Sequence, residues 1–500
     1  MVSACHDRKA CIAVLTRGRL ALSNLTAHQI GGPPARGGTL RRFGWVGVLL
    51  VMALLATGCG GGKKIGGGVS GTTVPAAGTP TTSDQCKTTK LTSSEVGVSP
   101  TTITVTVVAD TGSPLRPGLF QGSVDGVQAW AKYINANGGL ACRQVVVKAA
   151  DSKLTADDAQ NSITTACGNS LSLVGTTALF LDNMKPAETC KDKAGQPVGI
   201  PDLAVLQTYA AEQCSPVSFA ALPSAGSCPY SGTGVRTFTE STVTQNWYFA
   251  KYGKTALHGV FLVPSDLPST ISASTPLFAA DEQLGIKKDA EFGVSALSPQ
   301  SAYTPYAQAL KTNKSTFGRD GADYVSYVDW RKEAQVQGVS TVKVWDCSLQ
   351  CYDQRLITTG GSAVENQYVW LSFLPFEDKG ANPELDNFLQ YDKAPDAFGA
   401  QAWVSGQIFA NAVNSIVAKS GPNGLTRQGM LDTIRGINNF DDNGFIAPTN
   451  IGGKVGSKCL IGMQVQSAKF VRIDPVTPAK FDCTGGTTTV TIDPVKAYSG

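Results

Sequence analysis

Between residues 101 and 175 the apolar positions follow two alternating spacings. Residues 103–109 form a β-branched run of the kind that fills a buried parallel strand. Val124, Val127, Ala131 and Ile134 then recur at helical spacing, and Asn137-Gly138-Gly139 offers a stop where glycine takes the left-handed cap conformation. Residues 145–147 repeat the strand pattern. Thr155 and Asp158 have the spacing of a capping box for a helix through Ile163 and Ala166, and 171–175 predicts a third strand. Strand, helix, strand, helix, strand is half of a doubly wound sheet.

The pattern restarts downstream, with strand-like runs at 256–263, 291–296, 323–328 and 342–346 separated by helical candidates at 269–284, 303–313 and 331–338. Two α/β units in succession predict an α/β fold of two doubly wound lobes. The roughly 400 residues involved also exceed what one hydrophobic core usually organises.

The amino terminus follows neither pattern. Seven basic residues (Arg8, Lys9, Arg17, Arg19, Arg36, Arg41, Arg42) and one acid, Asp7, precede an uncharged apolar stretch from Trp45 to Ala56 and then Thr57-Gly58-Cys59. About a dozen apolar residues fall short of the roughly 20 that span a bilayer. Arginines, a short apolar core and a small-residue exit read as a signal peptide. A cysteine at that exit resembles the lipobox of bacterial lipoproteins, with Leu55 and Ala56 one place off the usual order. The resemblance implies cleavage before Cys59 and a diacylglycerol on its sulfur. An uncleaved anchor helix and ordinary secretion with Cys59 unmodified are the other readings. Residues ahead of Arg36 fit neither signal nor fold, as an overlong start would, and Arg41-Arg42 leaves Sec or twin-arginine export open. The expected division is a leader and signal over 1–58 and a disordered Gly/Thr/Ser/Pro tether over 59–98, whose composition cannot offset its chain entropy.

Without the leader, 35 basic residues face 37 acidic ones, so the formal +4 of the whole chain becomes about −2. No concentrated basic patch suggests nucleic acid. Of 13 cysteines, removing Cys5, Cys11 and Cys59 leaves ten, which in an exported domain read as up to five disulfides. Sequence does not fix the pairing. Short loops favour Cys347 with Cys351, Cys214 with Cys228 and Cys459 with Cys483, and Cys86 with Cys142 and Cys167 with Cys190 complete that set. No CxxC occurs and His258 is the one histidine past the leader, which argues against a metal site or other cofactor.

Catalytic patterns are also missing. His6 and His28 lie in the leader, and His258 sits in a strand-like run where a core histidine is expected. There is no Gly-x-Ser-x-Gly elbow, phosphate loop or dinucleotide fingerprint. The carboxylate pairs Asp157-Asp158 and Asp441-Asp442 are explained by helix capping and by a solvated turn. An exported hydrolase, such as a glycosidase, is the remaining enzymatic reading.

The run 122–140, containing Ile134-Asn135-Ala136-Asn137-Gly138-Gly139 after a first strand, resembles the leucine/isoleucine/valine-type periplasmic binding proteins, whose first helix ends in an Ile-Asn-x-x-Gly-Gly turn. The segment 395–403 with its Ala/Val-rich helix to Lys419 resembles that family's return segment. Residues 444–447 and 470–474 match its final β-rich part. The resemblance covers roughly 100–475. It implies the type I periplasmic-binding fold, with lobe one over 101–230 plus 370–440 and lobe two over 235–368 plus 441–490, joined by a multi-crossover hinge.

The same resemblance implies a monomer on the outer face of the cytoplasmic membrane. It would bind an amino acid, amide or small carboxylate and deliver it to the permease and ATPase subunits of an ABC importer. A ligand-sensing receptor of the same fold is the alternative. Walking the family's loops gives candidate contacts: Phe120 as an aromatic cover, Thr176 and Thr177 as donors to a carboxylate, and Asp202 where relatives offer small hydroxyls. On lobe two, Tyr327, Asp329 and Trp330 fall at an aromatic wall, and Trp345-Asp346 falls where an acid accepts an ammonium. Asp346 suits equally a turn beside the Cys347 to Cys351 loop, and Trp330 and Trp345 suit core or hinge packing.

Overall fold

The computed structural model describes residues 83–498, apart from 115 and 229–233. The leader, Cys59 and most of the expected tether lie outside the described residues. The tether expectation needs correcting at its end, because from Ser83 the chain is tied down. Ser83–Thr88 is helical, Cys86 is bridged to Cys142, and the Arg143 guanidinium donates to the carbonyls of Thr92 (2.9 Å) and Ser99 (2.7 Å). Val98 is buried against the first lobe.

Five strands build the first sheet: β1 (Thr102–Ala109), β2 (Gln144–Asp151), β3 (Ser172–Thr176), β4 (Asp202–Ala204) and β5 (Ser218–Ala220). Their order is β2-β1-β3-β4-β5, every pairing parallel. Connections between parallel strands need crossovers, which the helices Gln121–Ala136 and Ala156–Cys167 supply. The first ends where expected, with Gly138 (φ 100°) and Gly139 (φ 83°) in the left-handed region. The second starts on Thr155, whose hydroxyl accepts from the Asp158 N–H at 3.1 Å.

The chain then enters a second lobe through β6 (Arg236–Ser241), β7 (His258–Pro264), β8 (Lys287–Val294), β9 (Phe317–Asp320), β10 (Val344–Cys347) and β11 (Gln367–Leu371). It crosses back to lay the helix Ala397–Ser420 on the first sheet, and returns for β12 (Ile461–Gln466), β13 (Lys469–Asp474) and β14 (Thr487–Ile492). The second sheet has the order β13-β12-β11-β10-β9-β7-β8, parallel from β11 to β8 with β12 and β13 antiparallel at one edge. β6 and β14 make a separate antiparallel ribbon against the helix Pro268–Leu284. Three crossings therefore join two doubly wound lobes, and β11 carries the second sheet to Leu371, just past the expected change of lobe at 370. No described helix is long and apolar enough to cross a membrane.

One strand expectation is overturned. Residues 323–328 open the helix Tyr324–Val336, and the strand lies earlier, at β9. Asp323 caps this helix by accepting from the Ser326 N–H at 3.1 Å, and Tyr327, Val328, Trp330, Arg331 and Ala334 recur at helical spacing on its buried side. The ten cysteines of the described residues pair as the three short loops favoured, 214–228, 347–351 and 459–483, with 86–142 and 167–190 completing the set.

The helix Ala397–Ser420 is buried along most of its length and crosses the helix Gln121–Ala136 at Gly126 and Gly399. A Cβ on Gly126 would stand 2.2 Å from the Gly399 carbonyl oxygen, so the two backbones approach closer than any side chain allows. Substituting Gly126→Ala forces the helices apart and is expected to cost about 1–3 kcal/mol, as overpacking usually does. Urea unfolding should show the loss as a lower midpoint at unchanged m-value.

Candidate functional site

The carboxyl ends of the parallel strands of both lobes converge on one cavity of about 550 Å3. Strand ends are where open α/β sheets bind ligands, because the diverging crossovers leave a crevice there. First-lobe lining comes from the loops after β1 (Arg116, Leu119, Phe120), β2 (Leu154), β3 (Leu179, Phe180) and β4 (Leu206, Thr208), with Asp396, Ala397 and Phe398 at the start of the long helix. The second lobe supplies Pro264, Asp266 and Leu267 after β7, Ala296 and Leu297 after β8, and residues 321–325 after β9. Ser348, Gln350, Tyr352, Asp353 and Arg355 follow β10. Most of this surface is hydrocarbon, and Phe120 and Phe398 pack edge to face at 4.8 Å.

Asp110, at the end of β1 and fully buried, holds the first-lobe wall in place. Its Oδ1 accepts from the Leu154 N–H and the Ser152 hydroxyl, both at 2.7 Å, and its Oδ2 from the Leu179 N–H at 2.8 Å. Burial raises its pKa, and these three donors oppose that rise. The neighbouring Asp151 accepts from the N–H groups of Thr111, Gly112 and Lys153 at 2.9–3.0 Å.

Two arginines span the gap between the lobes. Arg116 of the first lobe pairs with Asp323 of the second at 3.3 Å and donates to the Ala296 carbonyl. Arg355 of the second lobe grips Asp353, with Nε 2.9–3.0 Å from both oxygens and Nη2 at 2.6 Å, and reaches Asp396 of the first lobe at 3.8 Å. Its guanidinium also sits 5.0 Å from the centre of the Tyr324 ring.

Phe120, singled out in the sequence, lines the cavity; the other candidates fall elsewhere. Thr176, Thr177 and Asp202 are fully buried and bonded within the first lobe. Thr176 and Ser218 each donate to Asp202 at 2.6 Å, and the Thr177 hydroxyl donates to the Gly175 carbonyl at 2.7 Å. Burial lifts Asp202 to about 6 against those two hydroxyls. These groups brace the sheet end and are not among the cavity's lining residues.

Asp329 and Trp330 lie on the helix Tyr324–Val336, not in a loop, and Trp330 packs edge to face on Trp345 at 5.2 Å. Asp346 is on β10, neither in a turn nor at the cavity. It accepts from the Tyr248 hydroxyl at 2.6 Å and lies 3.6 Å from Arg319, which also pairs with the buried Asp281. Burial raises Asp346 to about 6, with Arg319 opposing.

Two further expectations change. Asp442 is not solvated but 1% exposed, and burial followed by the nearby Glu384 carboxylate pushes its pKa well up. His258 is only half-buried, with Nδ1 2.6 Å from Asp289. The lining residues that sequence reasoning passed over were partly on view. Arg116 stands in the loop after the first strand, and Asp396 and Phe398 stand in the 395–403 segment.

Asp396 also caps the long helix, accepting from the Gly399 N–H at 2.7 Å. Burial, with the Asp353 carboxylate adding to it, raises its pKa to about 6, while the Gly399 amide and Arg355 pull the other way. The folded chain thus keeps this proton where the unfolded chain has released it, so stability falls as pH rises from about 4 through 6. At about 1.4 kcal/mol per unit the loss is of order 3 kcal/mol. Asp396→Asn keeps the cap and removes the titration. The melting temperature of Asp396→Asn minus that of the native chain should climb from pH 4.5 to 7, and a pH-independent difference would refute this assignment.

The model of the family described as periplasmic binding protein matches residues 102–469. No curated protein matches the sequence significantly. Among solved structures, a fatty acid ABC transporter substrate-binding protein from Thermomonospora curvata superposes with a TM-score of 0.58 at 17% identity, covering 81% of this chain and 96% of its own. An ABC transporter substrate-binding protein from Aeropyrum pernix gives 0.59 at 12% identity, covering 76% and 98%. A leucine-binding protein from Thermotoga maritima gives 0.55 at 17%, covering 74% and 97%. At these identities the likeness is one of fold.

Proposed function

Because the chain belongs to the periplasmic binding protein family, we propose that it is an extracytoplasmic solute-binding protein that closes its lobes on a small molecule and hands it to an ABC importer. The observation carrying this reading is the cavity of about 550 Å3 walled by strand-end loops from both lobes. That volume falls in the range of about 300–1,000 Å3 that takes drug-sized ligands. Relatives of the fold are named for binding a fatty acid and leucine, which makes a small organic solute the natural cargo.

Closure is the working step. Arg116 touches Asp323 and the Ala296 carbonyl across the gap, and Arg355 approaches Asp396. Opening the hinge breaks these contacts, so each favours the closed form. A solute touching both walls adds contacts that exist only when the lobes meet, and thereby shifts the population toward closure. The closed form, carrying its solute as a monomer, is what the permease and ATPase subunits would receive.

Lipid attachment at Cys59 is part of the same proposal. The signal pattern and the Gly-rich segment after it support a chain held at the outer face of the cytoplasmic membrane, with a tether to reach its transporter. Replacing Cys59→Ser should move the protein from the membrane fraction to the soluble one and abolish labelling by a radioactive fatty acid. Unchanged fractionation would refute lipidation.

A cleft ligand present at a hundred times its Kd stabilises the fold by about 2.7 kcal/mol. Thermal unfolding against a broad metabolite panel should show a matching rise in melting temperature, with a smaller radius of gyration by X-ray scattering. Silence across the panel, together with native mass spectra free of any co-purified molecule, would overturn the solute-binding reading.

A further inference from the structure

We propose that the solute has a largely apolar body and carries no anionic group, so that it is neither a free amino acid nor another carboxylate; this rests on the solute-binding reading above and narrows it to a chemical class. Three observations carry it.

The first is the wall itself. Leu154, Leu179, Phe180, Leu267 and Phe398 line the cavity from both lobes, so an apolar body exchanges water for hydrocarbon on two sides.

The second is the fate of the donors at the first-lobe strand ends, where a ligand carboxylate would need N–H groups. The Leu154 and Leu179 amides are bound to the buried Asp110 at 2.7 and 2.8 Å. Those of Thr111, Gly112 and Lys153 are bound to Asp151 at 2.9–3.0 Å. The protein's own carboxylates take these amides, so none of the five is free for an incoming carboxylate.

The third is the charge of the lining, whose two arginines are both held by the protein's own carboxylates and are outnumbered by four aspartates, Asp266, Asp323, Asp353 and Asp396. Arg355 is held by both oxygens of Asp353, and Arg116 pairs with Asp323. Asp266 accepts from the Ser295 hydroxyl at 2.7 Å and the Ala296 N–H at 3.0 Å, and Asp396 accepts from the Gly399 N–H. An anionic ligand would shed its hydration without gaining an unshared cation, and such a burial is strongly unfavourable. A neutral polar group is catered for, since Thr208 lines the cavity and its hydroxyl is buried without a protein partner. A long-chain or cyclic alcohol, ester or amide satisfies all three conditions.

The test holds the apolar body fixed and varies the head. Decanol, decanoate and decylamine, each below its micelle concentration, and leucine are titrated calorimetrically into the full mature chain. Decanol is expected to bind at least ten-fold more tightly than decanoate, and leucine not at all. Arg355→Gln leaves Asp353 and Asp396 uncompensated, so its ratio of decylamine to decanol affinity should rise at least five-fold, a change that general destabilisation does not produce. Leucine or decanoate binding as tightly as decanol overturns the non-anionic class while leaving solute binding intact. Failure of decanol, decylamine and every other non-anionic probe overturns the class as well, and the solute-binding reading falls with it only if native mass spectra also show an empty protein.

Discussion

The cleft depends on a carboxylate that never meets solvent. Asp110 ends the first strand and, through three short hydrogen bonds, gathers the loops after β2 and β3 onto the loop after β1. Removing a buried acceptor of this kind leaves its donors unpaired, which costs far more than the bonds contribute singly. The leucines at positions 154 and 179 owe their places in the cavity wall to their backbone amides, not to their side chains. The apolar wall of the first lobe therefore rests on a polar hub.

The second lobe solves its polar problem separately. Arg319, Asp281, Asp346 and Tyr248 form a buried network inside that lobe, apart from the cavity lining. The arginines at the cavity are treated alike, each one matched by a carboxylate of the protein's own. A surface built this way offers no free cation, and an anion finds nothing there to pair with.

Much of the architecture was legible in the sequence. The run at 103–109, the helix stopped at Gly138-Gly139 and the cap at Thr155 are local signals, and each stands where its residues predict. The stretch 323–328 misled because Tyr324, Val325, Tyr327 and Val328 are aromatic and β-branched residues that favour strands, while its capping acid, Asp323, declares a helix. The candidate site was much less legible. Thr176 and Asp202 do lie at strand ends, but their partners are each other and Ser218, 26 and 16 residues from Asp202. Asp110 reaches Leu179 across 69 residues and Arg116 reaches Asp323 across the cleft, and neither contact leaves a periodic trace. Spacing reports what a residue's neighbours along the chain dictate. Which loops share a cavity is decided by the order of strands in two sheets.

The three passages of the chain between lobes, after β5, after β11 and before β12, bear on how the molecule signals. A single linker would let two bodies twist and slide as well as bend. Three connections resist torsion and shear together, and leave bending as the soft coordinate. Occupancy is thereby written into a single angle, and a membrane complex that gauges the distance between two lobe tips reads that angle without touching the cargo.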